Sequence, residues 1–141
     1  MAPTTRLAAL LLTLPLALGA CGQATKDSAG DFKGDQKAVA QTVEDLQSAG
    51  RKSQASKICS DLLAPALVAK IKSASNGTCD KVLKDALSDA DSFELQVKKV
   101  TIDGTTATAT VESDGGDQKR TDTLELTKVG NAWKIATLGG A

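Results

Sequence analysis

Apolar residues recur at two different spacings, and the change falls near residue 92. Before it, Val39, Val43 and Leu46 fall at i, i+4 and i+7, one stripe of a helix over Asp35–Ala49. Asp35 is placed to cap that helix and Gly50 to stop it; Glu44 and Asp45 read as a solvated face. A second helix over Ser53–Leu63 carries Ile58, Cys59, Leu62 and Leu63 on its apolar side. Pro65 restarts a turn, with Leu67, Val68 and Ile71 inward, and Asn76-Gly77 breaks it. Thr78 caps a third helix through Ala90, with Val82, Leu83, Ala86 and Leu87 apolar.

From Phe93 the period is two. Phe93, Leu95 and Val97 alternate, and Val100 and Ile102 resume one position out of phase, as a β-bulge at Lys98-Lys99 would require. Asp103-Gly104 signals a hairpin into Thr105–Ser113, with Ala107, Ala109 and Val111 on one face. After the loop Asp114–Asp117, which lacks calcium-loop spacing, Lys119–Val129 turns Leu124 and Leu126 inward. Gly130-Asn131 then leads to a last strand, Ala132–Leu138, with Trp133 and Ile135. Helices first and an antiparallel meander second predict an α+β fold, with about three helices on one face of about four curved strands.

The N-terminal pattern belongs to neither half. Arg6 precedes an apolar run, Leu7–Leu18, too short to cross a bilayer, which takes about 20 residues. Pro15 interrupts it. Leu18-Gly19-Ala20-Cys21 resembles a bacterial lipobox. The resemblance implies cleavage between Ala20 and Cys21 and lipid on the Cys21 sulfur, hence attachment to the outer face of the cell membrane. Expected domains are therefore a signal peptide (1–20), a lipidated cysteine with a small, polar, glycine-rich tether (21–34), and one α+β domain (35–141), with Phe32 able to dock on that domain.

Composition narrows the chemistry. The chain has 17 Lys+Arg against 17 Asp+Glu, so nucleic acid has no basic surface to bind. Export would leave Cys59 and Cys79 as a pair outside the cytoplasm, where a disulfide is expected. Two free buried thiols or a metal site are the alternatives, although two thiolates in a chain without histidine make a poor zinc set. Asn76-Gly77-Thr78 spells a glycosylation sequon, read as chance in a bacterial chain. No nucleophile–histidine pair, phosphate-cradling glycine loop or cofactor motif is present.

The helical first half, the bulged strand and the terminal hairpin Leu126–Ile135 together resemble the nuclear-transport-factor-2-like cone fold over residues 35–138. Exported actinobacterial lipoproteins of that kind often carry a cysteine pair across the second and third helices. The resemblance implies either a non-catalytic binder or, alternatively, an isomerase or dehydratase using a carboxylate base, for which Asp89, Asp91 and Asp103 are candidates. The usual tyrosine and histidine partners are absent from the sequence. The favoured reading is a non-catalytic domain without a cofactor. A small apolar ligand would be lined by Val43, Leu62, Leu87, Phe93, Leu95, Val111, Leu126 and Trp133; the same residues read, in preference, as a packed core. A protein partner or second copy would dock on the outer sheet face at Thr106, Thr108 and Thr110.

Overall fold

A computed structural model describes residues 28–90, 93–114 and 118–139. A 3-10 turn (Ala29–Asp31) leads into α1 (Gly34–Arg51). A short α2 (Ala55–Lys57) then runs into a π turn (Ile58–Leu62). Next come α3 (Pro65–Ser75) and α4 (Cys79–Ser88). The strands are β1 (Leu95–Asp103), β2 (Thr106–Asp114), β3 (Lys119–Val129) and β4 (Ala132–Thr137). They form one antiparallel sheet in the order β1-β2-β3-β4. The expected α+β architecture is present.

The meander follows the alternation closely. Val97 pairs with Val111 and Lys99 with Thr110, so Lys98 is the extra residue of the bulge. It returns Val100 to the inner face, where it is buried with Val97, Ala107, Ala109, Leu124, Leu126, Trp133 and Ile135. Both tight turns place a glycine at positive φ, Gly104 at 58° and Gly130 at 63°, backbone that side chains disfavour. Thr101, Thr106, Thr108, Thr121 and Thr123 are exposed on the opposite face, with Thr110 and Thr127 half-buried among them.

α1 seats directly on the sheet through Val39, Ala40, Val43 and Leu46, all buried. Its polar residues bind backbone along the β1 edge. Gln36 Nε2 donates to the Val100 carbonyl at 3.0 Å, and the buried Gln47 Oε1 accepts from the Leu95 N–H. Thr42 Oγ1 lies 3.3 Å from the Trp133 carbonyl at the other edge. There the chain after the π turn adds a parallel bridge, Leu63 to Ile135, with Ala64 N–H donating to the Ile135 carbonyl at 2.8 Å. Both sheet edges are thus occupied by the chain's own groups.

Several local expectations are corrected. α1 continues through Gly50 to Arg51 because its stop is a Schellman closure one turn later. Ser53 N–H bonds the Gly50 carbonyl at 3.0 Å and Gln54 N–H the Ala49 carbonyl at 2.9 Å, with Ser53 at φ 52°. Gly50 is required for a different reason: a Cβ there would lie within 3 Å of three atoms of the Phe93 ring. The N-cap is Lys33, without a side-chain cap bond, and Asp35 sits in the first turn, 3.4 Å from Lys128 Nζ.

The expected tether also ends early. Ser28 and Ala29 are buried, and Glu44, far from being a solvated side chain, accepts both their N–H groups at 2.6 Å. Ser28 Oγ in turn accepts from Val97 N–H at 3.1 Å, beside the bulge. Phe32 packs half-buried on the core. Residues 1–20, Cys21 and the tether to residue 27 lie outside the described residues, as does Asp91. Among the described residues, no helix is long and apolar enough to cross a membrane.

Candidate functional site

The helical layer does not cover the sheet evenly. α4 packs on α2 and α3 more than on any strand, and Cys79 is its one fully buried residue. Thr78 caps its start, accepting from Lys81 N–H at 3.4 Å. The expected disulfide is formed: Cys59 in the π turn joins Cys79 in the first turn of α4. The bond excludes free thiols and a metal role for the pair. Among the described residues, no group of three or more His, Cys, Asp or Glu could hold a metal ion.

The π turn suits that linkage. Its wider winding bonds Leu63 N–H to the Ile58 carbonyl at 3.0 Å. Lys134 Nζ, from β4, donates to the Ser60 and Asp61 carbonyls at 3.2 and 2.8 Å. The turn is therefore fixed to the sheet on one side and to α4 on the other.

Because α4 is held at its N-terminal end, its apolar stripe faces the sheet across a half-open cleft of about 320 Å³. Leu83, Ala86, Leu87 and Ala90 form one wall. Leu46, Ile58, Leu95, Val111 and Leu124 form the floor, and Phe93 and Leu138 close the ends. Leu138 is 40% exposed. Among the described residues, the lining has one ionisable side chain, Asp122 on β3. Its carboxylate lies 3.7 Å from Arg120 Nη2, an exposed pair.

Of the eight residues expected to line a pocket, four do so: Leu87, Phe93, Leu95 and Val111. The other four are core, the alternative reading of the same residues. Val43, Leu62, Leu126 and Trp133 are 0–6% exposed, because α1 and the π turn fill the space above that half of the sheet. Trp133 also has Lys128 Nζ 5.5 Å from its ring centroid. Neither described candidate base lines the cleft: Asp103 ends β1 and Asp89 ends α4, both exposed. The carboxylate that does reach it, Asp122, has a sequence signal in the alternation Asp122, Leu124, Leu126. Leu83 and Leu138 also carried apolar signals; Leu46 and Ile58 read only as helix core.

Thr106 and Thr108 are exposed and Thr110 is half-buried on the face away from the cleft. A ligand in the cleft and a partner on the sheet would therefore not compete for one surface.

No curated protein matches the chain. A family model described as "Putative lumazine-binding" matches residues 69–138, from within α3 to the end of the meander. The matched segment carries the α4 wall and most of the floor of the cleft; α1 lies outside it. That family is one of the cone folds, and the match, with helices α1–α4 ahead of a four-stranded antiparallel sheet among the described residues, supports the resemblance to the nuclear-transport-factor-2-like fold.

Proposed function

We propose that this chain is a lipid-anchored, extracytoplasmic, non-catalytic domain that takes a small, mainly apolar ligand in the cleft between α4 and the sheet. The observation that carries the reading is the cleft itself. Its walls are aliphatic around one aromatic ring, Phe93, and its volume of about 320 Å³ lies in the range of small-molecule sites. Lumazine, named in the matching family's description, is a flat bicycle with several polar edge atoms. Among the described residues the lining offers one polar side chain, which favours a ligand with a larger apolar body.

Anchoring rests on Leu18-Gly19-Ala20-Cys21 and is supported by the disulfide, a bond favoured in oxidising compartments. The non-catalytic reading rests on Asp122 being the sole ionisable group of the lining among the described residues. Acid–base chemistry on a bound ligand asks for a second group to give or take the proton.

Two experiments test the proposal. Intact-mass spectrometry of protein extracted from bacterial membranes should give residues 21–141 plus acyl groups. An unmodified chain recovered from the medium would overturn the anchor. N-phenyl-1-naphthylamine, a neutral apolar fluorophore, should bind saturably to the purified protein and lose that binding in Leu87→Lys. Fluorescence unaffected by Leu87→Lys would mean that the cleft is not the site.

A further inference from the structure

Asp122 breaks the pattern of its own strand. Side chains on β3 alternate, and Leu124 and Leu126, 5% and 1% exposed, face the core. Asp122, two residues earlier, shares their face. It stands opposite Val111, which is 1% exposed, and its Cβ lies beside Gly139 at the end of the meander. A carboxylate has thus been placed on the inner, apolar face of the sheet, at the wall of the cleft.

Its partner on the chain is weak. Arg120 reaches it at 3.7 Å from a side chain that is 69% exposed, and such pairs contribute little in water. While the cleft is open, water reaches the carboxylate, whose side chain is 32% exposed. A ligand filling the cleft removes that water. An uncharged apolar ligand would leave the carboxylate with unmet acceptors, and an anionic one would add repulsion. A head group that is both cationic and a hydrogen-bond donor replaces the water and gains a charge-assisted bond. The recess beyond Phe93 holds Arg51 and Glu94, one of each sign, and so favours neither charge.

We infer that the ligand of the cleft is a cationic amphiphile, an apolar body ending in a protonated amine, and that Asp122 receives the amine. This rests on the reading of the cleft as an apolar-ligand site and names the polar end that the reading left open.

The test uses three probes with one chain and three heads: n-octylamine, octan-1-ol and octanoate, each displacing N-phenyl-1-naphthylamine at pH 7. Octylamine should displace it at a concentration roughly tenfold or more below that of octanoate, with the alcohol between. Asp122→Asn should bring the amine to within about twofold of the alcohol and leave the alcohol unchanged. Arg120→Ala, which frees Asp122 and perturbs no buried side chain, should strengthen the amine alone. If the fluorophore binds and octanoate matches or exceeds octylamine, the head-group assignment is wrong and the cleft reading stands. The same holds if Asp122→Asn leaves the amine's advantage over the alcohol undiminished. If neither the fluorophore nor any probe binds, both fall together.

Discussion

The two ends of the helical layer solve the same problem in opposite ways. α1 lies on the sheet with Val39, Ala40 and Val43 fully buried, and ties itself to strand backbone through Gln36, Thr42 and Gln47. α4 carries as clear an apolar stripe, yet Leu83 and Leu87 stay half-buried and the helix is fixed by a disulfide at its first turn. Amphipathicity alone did not decide which helix would close on the sheet. The difference lies in what anchors each: distributed contacts along α1, one covalent point on α4. A helix held at one end can border a cavity without collapsing into it.

That contrast can be broken in four ways. Ile135 is fully buried in the packed half, so Ile135→Ala should cost about 3 to 4 kcal/mol in urea denaturation. Replacing both Cys59 and Cys79 by serine opens a link spanning 20 residues and should cost about 3 kcal/mol in the chain-entropy model. Hydrogen exchange should then quicken in α4 and leave α1 unchanged; equal quickening in both would mean that the helices are not anchored differently.

Gln47→Ala leaves the Leu95 N–H without its acceptor, and a loss of about 1 to 2 kcal/mol is expected in thermal melts. Leu87→Ala, in the cleft wall, should cost under about 1 kcal/mol while weakening fluorophore binding. If Leu87→Ala destabilises as much as Ile135→Ala, α4 belongs to the core and the cleft is not a standing feature.

Much of the sheet was legible because its signals are local. The phase slip at Lys98-Lys99, the Asp103-Gly104 turn and the Gly130-Asn131 turn each lie within a few residues of what they determine. Gly50 was misread because its reason is Phe93, far away in sequence, and a helix-ending glycine looks the same as one that admits a ring. Ser53 closed the helix without the glycine such a position usually holds. The π turn had no pattern of its own; it follows from the need to reach both Ile135 and Cys79.

For the candidate site, the sequence named inward-facing residues but could not say which faced a neighbour and which faced space. Val43 and Leu87 carry the same periodic signal; one meets the sheet and the other a void. Asp122 shares the phase of Leu124, the one sequence signal that places it inward.

The occupied sheet edges bear on how such a molecule behaves in a crowd. Wherever copies of a protein meet at high local density, an open strand invites a neighbour to add a fifth. Here the Leu95 and Val97 N–H groups and the Val100 carbonyl are taken on one side, and the Ile135 carbonyl on the other. A would-be templating strand must first displace Gln47, Ser28 and Gln36, or peel back the segment at Leu63-Ala64. Strand addition at those positions, and with it propagation into fibres, is thereby opposed.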